Sequence, residues 1–310
     1  MSISRPGLSA HQLGIDASLY PFDGASVDVQ GHRLHYLDEG PRDGPVLLML
    51  HGNPTWSFYY RDLVLALRSQ YRCIVPDHIG CGLSDKPSSA DYPYTLSRRA
   101  DDLQELIEHL GIEGPLTLVV HDWGGGIGFT WACRRPEMVE RFVIFNTAAF
   151  HLPKSKRFPW PLALTRTRLG AALVRRFNAF SAVAARVAFK KPVSADVRHG
   201  YMAPYDSPAN RIATLRFVQD IPLSPRDSGY ELIGQAAESL SAHRGKPALI
   251  CWGLLDFVFD RHFLAEWCQH WPDAEVHRFD DCGHYIVEDA RETIGPLVVD
   301  FLARTSAEAP

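Results

Sequence analysis

The sequence predicts an α/β fold in which helices flank a mostly parallel central sheet. Short apolar runs rich in β-branched residues alternate along the chain with segments that carry apolar residues at helical spacing. The continuous apolar run Val46–Leu50 is typical of a strand covered on both faces. The chain has 310 residues, 46% of them hydrophobic, which is enough for one large core plus an inserted subdomain.

Local patterns place each element along the chain. Alternating residues at 26–30 and 33–38, on either side of Gly31, predict an antiparallel hairpin. Apolar runs predict further strands at 46–50, 72–77, 116–121, 141–146, 248–252 and 275–279. Apolar positions three or four residues apart predict helices at 56–69, 96–110, 127–133, 228–243, 261–270 and 292–302. The loops that follow parallel strands meet at one sheet edge, where ligands bind.

The alternation stops near Ala148 and resumes after about Pro225. We therefore predict a main domain formed by 1–147 and 226–310, with a helical cap at 148–225 over the ligand-binding edge. Apolar residues of the cap share one helical face, and core packing is expected for its aromatic residues. The residues on that face are Leu169, Leu173, Phe177, Phe180, Ala184 and Val187, and the aromatic residues considered are Phe158, Trp160, Phe177 and Phe180.

The cap begins with a strongly basic segment. From His151 to Ala195 there are ten Lys or Arg residues and no Asp or Glu. Three interpretations remain open: a solvated helix face, a subunit interface against the acidic main domain, or an attraction for anions or a membrane surface. The overall net charge of −4 gives no case for nucleic acid, and because no apolar run is long enough to span a bilayer, no membrane partner is expected.

The cysteines and the N-terminus predict a cytoplasmic protein. Six cysteines are scattered without a CxxC pair, so free thiols are expected rather than disulfides or a metal site. The N-terminal residues Met1 to Ser9 lack the apolar core of a signal peptide. The sequence also contains no cluster with metal-ligand spacing, and neither a metal nor an organic cofactor is expected.

The strongest chemical signal follows the strand predicted at 116–121. Asp122 stands at the tip of a sharp strand-to-helix turn, and Trp123 and three glycines follow it. Such a turn is the nucleophile elbow of α/β-hydrolases, which usually carries serine. A carboxylate is suited to displacing a leaving group from a saturated carbon, which leaves an ester on Asp122. The structural alternative is that Asp122 only caps the following helix.

Two further residues complete a predicted catalytic triad. His284 directly follows a predicted strand, and its neutral imidazole suits the activation of water near neutral pH. Asp256, also just beyond a strand, would orient the His284 ring and stabilise its charged form. Asp260 is a rival, but we expect it to cap the next helix. Asn146 and Thr147 end another strand and cannot carry a negative charge, which favours Asp256.

Asn53 and Trp123 are predicted to bind anions in two ways. Their backbone N–H groups can form an oxyanion hole beside the elbow. Their side chains can hold a departing halide, since the Asn53 amide donates hydrogen bonds and the Trp123 indole only donates. The structural alternative is an asparagine in a turn and a tryptophan used for packing.

These motifs resemble the haloalkane dehalogenases of the α/β-hydrolase superfamily. The resemblance rests on four segments along nearly the whole chain: 51–57, 77–85, 119–125 and Gly283-His284. Epoxide hydrolases are similar at the elbow, but usually have an aromatic residue at the position of Asn53. Because Asn146 and Thr147 replace an acid that some members carry, the chain resembles the group with an Asp after the later strand and an Asn-Trp halide pair.

The resemblance implies hydrolytic dehalogenation of small haloalkanes without a cofactor. Asp122 would displace halide, and His284 would activate water to release the alcohol, halide and a proton. The resemblance also suggests a homo-oligomer. An epoxide hydrolase with the same triad is the main alternative, and it would need hydroxyl donors such as Tyr201 and Tyr205 in the cap. A ligand-binding relative without catalysis is a third interpretation.

Overall fold

The computed structural model describes residues 8–306, so most of the segment used for the signal-peptide prediction lies outside the described residues. The strands are β1 (Ala25–Val29), β2 (His32–Glu39), β3 (Val46–Leu50), β4 (Arg72–Pro76), β5 (Leu116–Asp122), β6 (Val139–Thr147), β7 (Ala248–Gly253) and β8 (Glu275–Phe279). The helices of the main domain are α1 (Arg61–Leu67), α2 (Leu96–His109), α3 (Trp123–Arg134), α9 (Tyr230–Ser239), α10 (Arg261–His270), α11 (Ile286–Asp289) and α12 (Arg291–Thr305). Those of the insertion are α4 (Trp160–Thr165), α5 (Arg168–Phe177), α6 (Ala179–Val187), α7 (Ala195–Met202) and α8 (Ile212–Gln219).

The eight strands form one mostly parallel sheet. Their order is β1-β2-β4-β3-β5-β6-β7-β8. The β1–β2 and β2–β4 pairs are antiparallel, and the pairs from β4–β3 to β7–β8 are parallel. The fold predicted from the sequence is therefore confirmed, including the hairpin at its start.

Alternate residues of the strands enter two separate cores. In β3, Leu48 and Leu50 belong to one apolar cluster, whereas Leu47 and Met49 belong to the other. Helix α3 contacts both α2 and α9, and α1 contacts α12. Since successive side chains of a strand point to opposite faces, the sheet separates two helical layers.

The insertion differs from the sequence prediction in two respects. Asn178 has a left-handed backbone (φ 51°) and divides the predicted helical stretch into α5 and α6. Core packing is wrong for Trp160 and Phe177, whose exposures are 75% and 70%. Both side chains lie on the outer side of the insertion, whereas Phe158 and Phe180 line an internal cavity.

Smaller differences concern helix starts and cysteines. The helix predicted at 56–69 begins with a 3₁₀ segment, Ser57–Tyr60, before α1. All six cysteines are free thiols, as predicted. Within residues 8–306, none of the helices combines the length and apolar character needed to cross a bilayer.

Candidate active site

The turn between β5 and α3 places Asp122 at the centre of the sheet edge. Asp122 has φ 51° and ψ −124°, a conformation that non-glycine residues rarely adopt. Small neighbours permit the turn, because a Cβ on Gly124 would collide with the Leu50 carbonyl and one on Gly52 would collide with the Asp122 carboxylate. The Thr147 hydroxyl donates to the Asp122 carbonyl. The strained backbone therefore holds the carboxylate out from the strand end.

Backbone donors surround the Asp122 carboxylate. The Asn53 N–H donates to Oδ1 at 2.6 Å, and the Trp123 backbone N–H is a second donor. Burial raises the pKa of Asp122 above its ordinary value, while the nearby His284 charge and the two N–H groups oppose that rise. The two groups predicted to form an oxyanion hole therefore both contact the carboxylate.

His284 bridges the two aspartates. Its Nε2 lies 3.5 Å from Asp122 Oδ2, and its Nδ1 lies 2.8 Å from Asp256 Oδ2. Burial alone would lower the pKa of His284, but the Asp256 and Asp122 carboxylates raise it above its ordinary value. The structure therefore brings the three predicted triad residues together: His284 is hydrogen-bonded to Asp256 through Nδ1 and faces Asp122 through Nε2.

Asp256 and Asp260 occupy different environments. Asp256 accepts from the Val258 N–H at 2.7 Å and is almost completely buried. Asp260 caps α10 by accepting from the His262 N–H at 3.0 Å, and also pairs with Lys156 at 2.7 Å. The prediction that Asp260 caps the next helix is confirmed.

Asn146 supports the site in a way the sequence analysis missed. Its Nδ2 donates to Asp256 Oδ2 at 3.0 Å and to the Gly253 carbonyl at 3.0 Å. Its Oδ1 accepts from the Gly253 N–H at 2.8 Å. The side chain thus joins the end of β6 to the turn that carries Asp256. Its position at a strand end was visible in the sequence, but we considered only its lack of charge.

A second histidine outside the sequence prediction lies beneath His284. The His121 Nε2 donates to the His284 carbonyl at 2.8 Å, and the two ring centres are 4.7 Å apart. Burial and the adjacent His284 charge hold the pKa of His121 well below its ordinary value. His121 is therefore a neutral support for the backbone of His284.

The Asn53 and Trp123 side chains have different freedom to bind an anion. Asn53 Nδ2 donates to the Thr214 carbonyl of α8 at 3.0 Å, which commits one of its two amide hydrogens. The Trp123 ring lines the cavity, and its indole N–H has no hydrogen-bond partner within residues 8–306. The indole is thus the freer of the two predicted halide donors.

An apolar cavity of about 350 Å³ lies between the sheet edge and the cap. Its polar side chains are few and include Asp122, His284 and Asn53 at the catalytic end, with His151 and Thr165 elsewhere. Apolar residues from α4, α5, α6 and α8 form much of the remaining wall. The site therefore favours an apolar ligand with one reactive polar group.

Tyr201 and Tyr205 are engaged away from this cavity. The Tyr201 hydroxyl donates to Glu288 at 2.9 Å, and the Tyr205 hydroxyl donates to the Thr55 carbonyl at 3.3 Å. Neither residue is among those that line the cavity. The hydroxyl donors considered for an epoxide hydrolase are therefore committed to structural contacts.

Comparison with known proteins adds a family context. A sequence model described as the alpha/beta hydrolase fold matches residues 45–290. A cis-3-alkyl-4-alkyloxetan-2-one decarboxylase from Shewanella oneidensis is 53% identical, over 94% of this chain and 92% of the relative. Haloalkane dehalogenase 2 from Mycobacterium tuberculosis is 31% identical, over 92% and 96% of the two chains. The crystal structure of haloalkane dehalogenase DbeA from Bradyrhizobium elkani has a TM-score of 0.83 at 28% identity, covering 93% of this chain and all of that one.

Proposed function

Because this chain belongs to the α/β-hydrolase fold family, we propose that its Asp122-centred site decarboxylates cis-3,4-dialkyl oxetan-2-ones. The 53% identity to an oxetanone decarboxylase over nearly the full length of both chains supports this substrate class. The haloalkane dehalogenases are more distant, at 31% to 35% identity. The proposal replaces the haloalkane with a strained cyclic ester but retains the same nucleophile.

The observation that carries the proposal is the position of Asp122 at one end of an apolar cavity. A 3,4-dialkyl oxetan-2-one has one polar ring and two alkyl substituents. The ring matches the polar end formed by Asp122, His284 and the Asn53 backbone, and the substituents match the apolar walls that α4, α5 and α6 contribute. Few polar groups along those walls would compete for the ester.

The reaction needs two steps and no water. An Asp122 oxygen attacks ring carbon C4 from the side opposite the ring oxygen, and the C4–O bond breaks. Its electron pair stays on the oxygen, which becomes part of a free carboxylate on C3. The C3–carboxylate bond then breaks, its electrons form the C3=C4 double bond, and Asp122 departs from C4. Carbon dioxide and an alkene leave, and the Asp122 carboxylate is restored.

This sequence predicts the geometry of the alkene. The attack inverts C4 and places the Asp122 oxygen opposite the C3 carboxylate across the C3–C4 bond. Elimination from that arrangement leaves the two alkyl groups on the same side. A cis ring therefore gives a cis alkene.

The remaining site residues have distinct proposed roles. The backbone N–H groups of Asn53 and Trp123 already contact the Asp122 carboxylate, and they stabilise its charge as it departs. A protonated His284, 3.5 Å from Asp122 and paired with Asp256, favours the same departure. Its raised pKa increases the charged fraction near neutral pH.

Hydrolytic dehalogenation is a second candidate, favoured by the Trp123 indole. Trp123 lines the same cavity as Asp122, and its indole N–H has no partner in the described part of the chain, as a halide donor requires. In this reaction Asp122 displaces halide, and neutral His284 activates water to open the ester. The two candidates share the first nucleophile and differ in whether water is consumed.

Product analysis in H₂¹⁸O tests both candidates. The purified protein is incubated with a synthetic cis-3,4-dialkyl oxetan-2-one or with a panel of haloalkanes, and a styrene-oxide-type epoxide serves as control. We expect one cis alkene and one carbon dioxide per lactone, with no alcohol or hydroxy acid. A labelled hydroxy acid formed from the lactone would refute decarboxylation. Dehalogenation would be established instead if haloalkanes gave halide and labelled alcohol while the lactone stayed unchanged.

A further inference from the structure

The outer surface of the cap exposes three parallel apolar rows. Within each helix the exposed apolar residues are spaced four residues apart, and their exposures lie between 37% and 75%. They are Trp160 and Leu164 in α4, Leu169, Leu173 and Phe177 in α5, and Val183 and Val187 in α6. Because α5 contacts both α4 and α6, the three helices that carry the rows are neighbours. Exposed apolar groups of this extent mark an interaction surface.

The same rows border the opening of the catalytic cavity. Leu164, Leu173, Val183 and Val187 are exposed on the outside and also line the cavity. Leu223, which is 37% exposed, lies on the rim as well. An apolar path therefore leads from the outer face of the cap to the site of Asp122.

Unpaired basic residues accompany the rows. Six exposed basic residues of this segment form no salt bridge with an acidic side chain in residues 8–306. They are Lys154, Arg157, Arg168, Arg176, Arg186 and Lys190. The three other basic residues that pair with acids in this segment are Lys156, Arg166 and Lys191. The face thus combines uncompensated positive charge with exposed Trp, Phe and Leu.

We propose that this cap face docks on an anionic lipid bilayer and that apolar substrate enters the cavity directly from the lipid. Basic residues around an apolar face with Trp and Phe are the physical signature of interfacial binding. The proposal revises the expectation of no membrane partner, which rested only on the absence of a spanning helix.

A bilayer fits this face better than a protein does. A second copy presenting the same face would bring like charges together, since 151–195 contains no Asp or Glu. An acidic protein would match the charge but would close the opening of the cavity. A lipid surface satisfies the charge, buries the apolar rows and supplies apolar molecules at the rim. Only the delivery of substrate rests on the proposed function, and docking does not.

The test measures co-sedimentation with phosphatidylglycerol/phosphatidylcholine vesicles at low salt. We compare the full chain with the triple variant Arg168→Gln/Arg176→Gln/Arg186→Gln. Each basic residue near an anionic surface is worth about fivefold in partitioning, so the variant should bind about 100-fold less. The matched control Arg135→Gln/Arg244→Gln/Arg278→Gln removes three exposed main-domain charges and should bind as the unaltered chain does.

A second variant tests the apolar rows separately. Trp160→Ser/Leu169→Ser/Phe177→Ser alters exposed side chains that do not line the cavity, and it should reduce vesicle binding while the circular dichroism melting curve stays unchanged. No vesicle binding by the full chain, or equal loss in the control, would overturn the proposal. Two other results would also overturn it. In the first, the full chain binds polyglutamate as strongly as it binds vesicles, and the triple Ser variant binds polyglutamate equally well. In the second, the full chain self-associates without binding vesicles, and the triple Gln variant abolishes that self-association. Because vesicle binding is not an activity measurement, its failure is distinguishable from failure of the proposed reaction.

Discussion

Asn146 Nδ2 lies 3.0 Å from Asp256 Oδ2, so a neutral amide at the end of β6 fixes the carboxylate that holds His284. The resemblance implies an acid near this position in some members of that family, but here the amide bonds to an acid in the turn that follows β7. Three groups donate to this buried carboxylate: the Asn146 amide, the Val258 N–H and His284 Nδ1.

We expect Asn146→Ala to reduce kcat about 10- to 100-fold by loosening Asp256. Because His284 would lose part of the support for its charged form, its pKa should fall and the pH profile should move toward acid. Rate profiles measured against pH test both effects. Asn210→Ala removes a comparable Asn–Asp bond on the cap surface and serves as control. An unchanged pH profile would show that Asn146 does not act through Asp256.

Asp122→Asn should abolish turnover, by about 10⁴-fold or more, because the amide is not a nucleophile. Burial raises the pKa of Asp122, which means that its charge opposes folding. The variant should therefore melt at the same temperature as the unaltered chain or higher. Steady-state rates and calorimetry measure the two quantities, and residual activity within tenfold would refute the assignment of the nucleophile.

The two candidate reactions should depend on pH in opposite ways. Water activation needs neutral His284, whose folded pKa is raised above 6.5, so alcohol formation should increase as pH rises through that pKa. Alkene formation is favoured by the charged ring, so it should decrease over the same range. The stability that the charged ring provides is complete below the unfolded pKa and is lost as pH rises through the folded pKa. Identical profiles for the two products would contradict the proposed role of His284.

Trp123→Phe should separate the candidates by removing only the indole N–H. Loss of one hydrogen bond to an anion costs about 1.5–3 kcal/mol, or about 10- to 100-fold in halide release. Lactone decarboxylation should change little, because the Trp123 backbone N–H remains. Trp160→Phe, on the exposed cap surface, is the matched control. Equal loss in both reactions would indicate a packing role instead.

Arg61 and Glu288 form a buried ion pair inside the main domain, and the cap reaches this pair through Tyr201. Arg61 donates to both Glu288 oxygens, at 2.8 and 2.7 Å, and Tyr201 of α7 donates to the same carboxylate at 2.9 Å. Glu288→Gln leaves the buried Arg61 with only the partly exposed Asp62 carboxylate, 3.5 Å away, as a counter-charge, and should cost about 3–5 kcal/mol of unfolding free energy. Tyr201→Phe should cost only about 1 kcal/mol. Urea unfolding measures both, and a loss below 1 kcal/mol for Glu288→Gln would contradict the importance of the pair.

The sequence by itself determined the sheet and the positions of the reactive groups along it. Strand patterns are local, and the carboxyl ends of parallel strands meet at one edge. For this reason Asp122, Asp256 and His284 could be grouped before any distance was known. The role of Asp260 as a helix cap also followed from local spacing, and the structure confirms it.

Only the tertiary structure decided what surrounds these groups. Three hydrogen bonds around the site join residues more than 100 positions apart in the chain. They run from Asn146 to Asp256, from His121 to the His284 carbonyl and from Asn53 to the Thr214 carbonyl. The same holds for the cap, where helical spacing identified an apolar face but could not say which side faces water. Phe177 lies outside and Phe180 lines the cavity because Asn178, with its left-handed backbone, separates two helices. Which side of each helix is covered depends on neighbours that no local pattern specifies.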